Sequence, residues 1–545
     1  MPFPDVDPTI PALLRDAARH GGRPFVICDG ETLTYADAER RSAELARGLL
    51  AAGIGKGDHV GILMPNSTDW VIAWFATTRI GAVAIPLNTF YQARELAWAI
   101  RHADVKAILA WSSFRAHDFL ARLEEALPTL ASQAAPGALR LPEAPYLRTI
   151  AVWGEPSRAW ATAAGGLAAV ADSSGVDRTL LDAAEACVTP ADAVVIIYTS
   201  GSTGDPKGPV HTHGALVRHT YSLTHLYVTT GDDVLFTAMP FFWVGGLITG
   251  LHAVIHHGAC LVTMPAFDAA EALDLVEKHR ATITLGWPQQ GTTMADDPSF
   301  SSRDLSSVRR TSMPAMVPPD RRPPEVHAES LGMTELCGNH LGVDPYLPQP
   351  EHRRGSFGPS LEGLEHRIVS RETGAEVPRG DVGEIHVRGY SLMQGLYKRE
   401  REDVFTADGF YATGDAGRMD DDGWVTFTGR LGDLIKTAGG TNVTPAEVET
   451  ALVSFPGVLE AYVTGIADGD MHHLVVAAVV PQAGRELDEA GLRQDLRRVL
   501  AAYKVPVHIW VTPKSALPFT DTGKIKKADL GRIIAARIAG TEPLA

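Results

Sequence analysis

Cysteine is scarce in this sequence. Four occur in 545 residues, Cys28, Cys187, Cys260 and Cys337, far apart and with no CxxC spacing. That excludes a disulfide framework and a cysteine zinc site, and it predicts a reducing compartment, the cytoplasm. Basic charge is short as well: 49 Lys and Arg stand against 65 Asp and Glu, a net −16. Nucleic-acid binders and binders of acidic membranes need a basic face, so neither role is expected. A local basic site for a phosphate ligand is still compatible with that balance. The first residues, "MPFPDVDPTIPALL", show no basic region followed by an apolar run, so no signal peptide is expected. Uninterrupted apolar length is missing too. The longest stretch, Val244–Met264, contains His252, His256, His257 and several glycines. It predicts a buried core helix, not a membrane span. His252 and His256 are four apart, as metal ligands can be, but no third ligand stands near them.

What remains is an ordinary globular composition, 45% hydrophobic and 21% charged. The length suits two to four domains. Thr34–Ala52 reads as a helix with Thr34 as N-cap, Asp37 three residues on, and Gly53 as its stop. "HVGILM" reads as a buried strand, "DWVIAWFATTRIGAVAI" as helix then strand, and "ELAWAIRHADVKAILA" as helix then strand again. That alternation predicts a mostly parallel α/β sheet. Residues 112–190 are rich in Ala, Pro, Ser and Gly and read as mixed helix and surface loop. Met313–Ser330 carries five prolines, through which no regular helix can run. After about residue 365 the texture becomes short strands and turns, a β-rich subdomain. From Leu431 it becomes α+β, with Thr444 as the N-cap of a helix, Pro445 at its first position and Glu447 at its third.

The chemistry concentrates in "YTSGSTGDPKG", Tyr198–Gly208, which follows the apolar run "AVVII". Such residues can form a plain surface turn. Three glycines, four hydroxyls (Thr199, Ser200, Ser202, Thr203) and Lys207 together suit a phosphate cradle: backbone N–H groups approach an anion, hydroxyls add donors, and a lysine adds charge. The stretch is not a Walker A loop, because Lys207 follows Pro206 and precedes Gly208.

Further along come "LGMTE", "YATGDAGRMDDDGWVTFTGR", "GRLGDLIKTAGGTNVTPAEVE" and "PFTDTGKIKK", in that order. With the glycine-rich stretch they closely resemble the adenylate-forming superfamily of acyl-CoA synthetases, peptide-synthetase adenylation domains and luciferases. The resemblance covers nearly the whole chain. It implies a large α/β N-terminal domain of mostly parallel sheets, residues 1–431, including the β-rich subdomain at about 365–431. A small mobile α+β C-terminal domain, 432–545, would turn about a hinge at Gly432. It implies the reaction also: a carboxylate attacks the α-phosphorus of ATP, giving acyl-adenylate and pyrophosphate, and a thiol, usually coenzyme A, takes the acyl group. Two anions must meet there, so the site needs preorganised donors and cations.

Carried residue by residue, Ser200, Gly201, Ser202, Thr203, Gly204 and Lys207, with Thr199 beside them, would cradle the β and γ phosphates. Thr334 would bond the α-phosphate and Glu335 would hold Mg²⁺, which wants few protein oxygens when it bridges phosphates. Asp415 would take the ribose hydroxyls and Arg430 would lie near ribose and phosphate. Lys524 would be the catalytic lysine of adenylation. Gly439 and Gly440 would approach the pantetheine arm. Phe242, Trp243, Gly245 and Gly246 match the segment that often lines the acyl pocket, and "GWPQQG", Gly286–Gly291, is expected to face the same cavity. No residue there obviously pairs with an amino group, which favours an apolar acyl or cyclic carboxylic acid. The chain departs from the family pattern at Leu331, where most members carry an aromatic residue, at Trp243, where many carry histidine, and at Pro209. Three readings stay open: a CoA ligase; an enzyme that loads a carrier protein or an amine; and a nucleotide-binding protein without catalysis. No fused carrier domain is visible, which leans toward free coenzyme A; a homodimer is left open.

Overall fold

The computed structural model describes residues 6–199, 206–430, 435–438, 441–443, 445–468, 472–519 and 525–540. Two compact units emerge: Met1–Thr89, Ala97–Ile197 and Gly208–Gly429 form one, and Phe90–Leu96, Tyr198–Lys207 and Arg430–Ala545 form the other.

The first unit holds two large sheets. One orders its strands as Gly395–Leu396, Pro209–Thr212, Ala193–Ile196, Val83–Pro86, His59–Leu63, Ala107–Trp111, Thr149–Trp153 and Thr162–Ala163. From Ala193–Ile196 through Thr162–Ala163 the neighbours are parallel; the two strands at the other end pair antiparallel. The second sheet runs Arg310–Thr311, Ile283–Leu285, Val234–Thr237, Cys260–Thr263, Pro24–Cys28 and Glu31–Thr34, parallel except for its last pair. Helix Thr68–Arg79 touches strands of both sheets. It starts where Ser67 accepts a hydrogen bond from the Trp70 amide, and all but one of its residues are buried, including the stacked pair Trp70 and Trp74. A helix buried on every side belongs in such a core, and its one buried charge, Arg79, is paired with Glu39 and Glu185.

The helix Tyr35–Ala51 forms for the reason its sequence gives: Thr34 Oγ1 caps the Asp37 amide at 3.0 Å, and Gly53 turns the chain away at φ +76°. Two expectations need correction. The region 112–190 does contain helix and loop, but "TIAVW", Thr149–Trp153, is a fully paired strand of the main sheet. Val244–Met264 is not one helix. It divides into a π-helix Gly245–Leu251, a short α-helix His252–Ile255, and the strand Cys260–Thr263, with Gly258 at φ +73° before the strand.

The β-rich part is a four-stranded sheet of Leu364–Val369, Gly383–Gly389, Tyr411–Met419 and Val425–Arg430. The proline-rich Met313–Ser330 holds only single 3₁₀ turns, Pro314–Met316 and Pro319–Arg321. Leu331 follows on the short strand Leu331–Met333 and packs against the core of the four-stranded sheet.

The second unit is α+β. Val458–Asp468 pairs antiparallel with His472–Pro481, which pairs parallel with His508–Val511. Alternate residues of His472–Pro481 enter two separate cores, Val475, Ala477 and Val479 in one, Val476, Ala478 and Val480 in the other. A strand covered on both faces reads as a continuous apolar run, as "LVVAAVV" does. Helices Pro445–Val453, Glu489–Val499 and Lys527–Ile538 supply the cover. The proposed N-cap Thr444 and hinge Gly432 lie outside the described residues.

Candidate active site

The glycine-rich stretch follows the carboxyl end of Ala193–Ile196, where the main sheet changes from parallel to antiparallel pairing. Ligands of α/β sheets bind outside the carboxyl ends of strands. Thr199 and Lys207 close the stretch at its base, exchanging backbone hydrogen bonds of 2.9 and 2.7 Å. Ser200, Gly201, Ser202, Thr203 and Gly204 between them lie outside the described residues, as do Gly439, Gly440 and Lys524. Arg430 ends the strand Val425–Arg430; its side chain lies outside the described residues as well.

Thr334 and Glu335 are half-buried on a single 3₁₀ turn, Thr334–Leu336, that Cys337 ends in the left-handed region at φ +60°. Three other segments hold this turn. The His211 ring donates from Nε2 to the Thr334 carbonyl at 2.7 Å, and the Met393 amide donates to the Glu335 carbonyl at 2.8 Å. The Tyr411 hydroxyl donates to Glu335 Oε1 at 3.3 Å. Among the described residues the Glu335 carboxylate makes no ion pair. A half-buried carboxylate with one oxygen oriented by a hydroxyl and, among the described residues, no paired cation has the oxygen chemistry a hard divalent ion takes.

Asp415 is 2% exposed on strand Tyr411–Met419. The strand bulges where it faces Gly383–Gly389: Glu384 pairs with Ala416, but His386 already pairs with Ala412. Gly414 takes φ +74° inside this bulge, and its amide donates to Glu384 Oε1 at 3.0 Å. The Asp415 amide donates to Thr413 Oγ1, which donates on to the Ile385 carbonyl. A bulge re-aims a side chain, and the glycine supplies the conformation it needs. The motif "TGD" is therefore a local device for presenting one aspartate.

The apolar segment is built by three adjacent parallel strands. Val234–Thr237, Ile283–Leu285 and Arg310–Thr311 lie side by side, so the residues just past their ends are neighbours. These are Met239–Trp243, Gly286–Trp287 and Ser312–Met313. Trp243 and Trp287 meet edge to face, with centroids 5.8 Å apart and planes at 70°. Phe242 lies 5.0 Å from Trp243, also edge to face. Ser312 Oγ accepts from the Gly286 amide at 2.9 Å and donates to its carbonyl at 2.7 Å. The two tryptophans bring "GWPQQG" and "PFFWVGGL" into contact. Gly246 is buried where an added Cβ would sit 2.2 Å from the Pro240 carbonyl oxygen, and Gly245 lies against the Met239 sulfur. Both glycines serve close packing in addition to any role toward a ligand.

Sequence reasoning missed Asn66, His211, Met393 and Tyr411. Asn66 is 2% exposed, and its amide donates to the Met239 carbonyl and to Thr263 Oγ1 while its oxygen accepts from the Phe241 amide at 2.7 Å. A polar residue at the end of an apolar strand, as in "GILMPN" and "PVHTH", was the available signal.

Comparison with known proteins agrees with this architecture. The model of the AMP-binding enzymes matches residues 13–397, and that of the AMP-binding enzyme C-terminal domain matches 447–524. The indoleacetate–CoA ligase of Aromatoleum aromaticum is 30% identical, covering 96% of this chain and 97% of its own. The feruloyl-CoA synthase of an Amycolatopsis species is 32% identical over 95% of each. The solved amide bond synthetase McbA from Marinactinospora thermotolerans is 25% identical, with a TM-score of 0.78 over 96% of this chain and 99% of its own. Fold and matched domains define an adenylate-forming enzyme. The chain belongs to the AMP-binding enzyme family, and within the adenylate-forming superfamily it is acyl-CoA synthetase-like. Among the described residues no helix is long and apolar enough to cross a membrane.

Proposed function

We propose that the protein is an ATP-dependent, AMP-forming carboxylic acid–CoA ligase that makes an acyl-adenylate and then an acyl-CoA. The observation that supports this most is the turn Thr334–Glu335, whose two carbonyls and one carboxylate oxygen are each held by a separate segment. Fixed donors and charges aimed at a phosphoryl group are what this chemistry requires.

In this reading Thr199 and Lys207, with Ser200–Gly204 between them, bind the β and γ phosphates. The Thr334 hydroxyl donates to the α-phosphate. Glu335 is the Mg²⁺ ligand, and a bound Mg²⁺ supplies charge neutralisation at the phosphates. Asp415 accepts from the ribose hydroxyls, with Arg430 near ribose and phosphate. Lys524 bridges the attacking carboxylate and the α-phosphate oxygen. Gly439 and Gly440 face the pantetheine arm of coenzyme A, and the C-terminal domain, 432–545, turns at Gly432 between the two half-reactions.

Phe242, Trp243, Gly245 and Gly246, with Trp287, form the acyl wall. Two half-buried indoles and a phenyl ring, with no charged side chain in the segment, favour a flat or cyclic apolar acid. The likeness to an amide bond synthetase motivates a second reading, in which an amine takes the acyl group.

The test is a panel of aromatic, cyclic and straight-chain acids with ATP and Mg²⁺, offered coenzyme A or simple amines. Acyl-AMP and final products are read by mass spectrometry. Acyl-CoA from aromatic or cyclic acids supports the proposal. Amide without acyl-CoA favours the second reading. Absence of acyl-AMP across the panel would overturn both.

A further inference from the structure

His211 lies on strand Pro209–Thr212, which begins two residues after Lys207, and its side chain is fully buried. Its partner, the Thr334 carbonyl, is 123 residues away in sequence and 2.7 Å away in space. A carbonyl oxygen only accepts, so Nε2 carries the hydrogen and the ring is the Nε2–H tautomer. Burial pushes the His211 pKa down to about 4, with the carbonyl hydrogen bond opposing it. The ring therefore stays neutral, and its donor stays in place, throughout the physiological range.

The same strand is tied to Glu335 by a second route. Pro209 and Val210 pair with Leu396 and Gly395, and the Gln394 amide donates to the Val210 carbonyl at 2.8 Å. One residue earlier, Met393 donates to the Glu335 carbonyl. Consecutive carbonyls of the Thr-Glu turn are thus pinned to one strand, directly by His211 and through a paired strand by Met393. The Met393 bond uses a backbone amide that any residue except proline would supply. The His211 bond depends on a side chain.

We propose that His211 is a positioning residue for the nucleotide chemistry: its Nε2–H fixes the Thr334 carbonyl, and with it the direction in which the Thr334 hydroxyl and the Glu335 carboxylate are presented. The proposal rests on the roles given above to Thr334 and Glu335. A glutamine at 211 reaches as far as the imidazole Nε2 and can donate an amide hydrogen. Leucine fills similar space without a donor and leaves a buried carbonyl unsatisfied.

The experiment compares His211→Gln and His211→Leu with the parent chain in acid-dependent ATP–pyrophosphate exchange over a Mg²⁺ titration. Binding of Mn²⁺–ATP without acid is followed in parallel by electron paramagnetic resonance. Thermal unfolding checks that each variant is folded. Should His211→Leu not fold, His211→Asn, polar but too short to reach, takes its place.

The expected result is a fall in kcat/KM for ATP of about 10- to 100-fold in His211→Leu, the range for loss of a group that orients a metal ligand. Weaker Mn²⁺–ATP binding and a higher Mg²⁺ requirement accompany it. His211→Gln recovers most of the loss, and transfer from a synthetic acyl-adenylate to coenzyme A is unchanged in both. Parent-like exchange and Mn²⁺–ATP binding in folded His211→Leu would overturn the proposal, as would equal damage in folded His211→Gln. The underlying reading is checked separately with Glu335→Gln: if that variant exchanges normally, the role of Glu335 is wrong. A crippled Glu335→Gln beside a normal His211→Leu sinks the positioning role alone.

Discussion

The Thr334–Glu335 turn and the Phe242–Trp243 wall are secured by different physics. The turn is fixed by directional hydrogen bonds from His211, Met393 and Tyr411. The wall is fixed mainly by shape: edge-to-face rings, glycines too crowded for a Cβ, and one asparagine clamp behind Met239 and Phe241. Directional bonds set the position of a charge to a fraction of an ångström, which suits a step that is the same for every substrate. Packing sets a volume, which suits the part of the substrate that varies. The division predicts that damage to the turn lowers all reactions together, and damage to the wall changes which acid is used.

The largest expected effect calibrates the scale and belongs to neither region. Lys524→Ala should abolish adenylation, by about 1,000-fold or more, while a pre-made acyl-adenylate still reacts with coenzyme A. Equal loss in both half-reactions would remove the assigned role of Lys524. Glu335→Gln comes next. Exchange rates should fall by about 100-fold, and the ranking of acids in the panel should stay the same. A changed ranking would break the comparison.

Trp243→Ala should do the opposite. The KM for the preferred acid should rise by about 10-fold, the KM for ATP should hold, and the ranking should shift toward bulkier acids. Gly246→Ala probes the wall through stability. Its Cβ meets the Pro240 carbonyl and the Met239 carbonyl, at 2.2 and 2.4 Å. The backbone must move, at a cost of about 1–3 kcal/mol or more, and a lower thermal midpoint reports it.

The smallest effect is shared by both regions and is read through pH. Behind the turn lie buried histidines that burial keeps neutral: His211, His219 and His366 are lowered to about 4, and His340 well below its ordinary value. His366 bridges Ser360 and His340, each at 2.7 Å. The unfolded chain protonates such groups near 6.5, above the folded values. Between those values the unfolded state holds more protons, so stability falls as pH drops below about 6.5 and is level above it. Beyond the wall glycines the same segment carries His252, lowered to about 3 by burial, and His256, lowered well below its ordinary value, and these add to the same loss. Calorimetry at pH 7.5, 6.5 and 5.5 should show the midpoint falling only across the acid interval.

Local chemistry was legible in the sequence, and contacts across the chain were not. Thr34, Asp37 and Gly53 bound a helix within one short window, and the structure follows them. Strand Thr149–Trp153 was lost among Ala, Pro and Ser because Thr149 and the four apolar residues after it, nearly all buried, carry no alternation. Val244–Met264 misled for the opposite reason. Its hydrophobicity announced burial, but the helical half ends at Ile255, and Gly258 at φ +73° leads into the strand Cys260–Thr263. The motif residues Thr334, Glu335 and Asp415 were readable through the family resemblance. What holds them, His211 from 123 residues away and a bulge between two strands, exists only after folding.

The π-helix Gly245–Leu251 carries one further consequence. Its wider turn accommodates a residue that an α-helical path would not need. Deleting one residue there would let the turn tighten toward an α-helical one while the side chains beyond it keep their register. Trp243, which precedes the turn, would keep its place against Trp287. Under the acyl-wall role proposed for this segment, an insertion or deletion of a single codon would be a route to a different acid alongside substitution. Variation among relatives at this segment should show itself in length as well as in side chains.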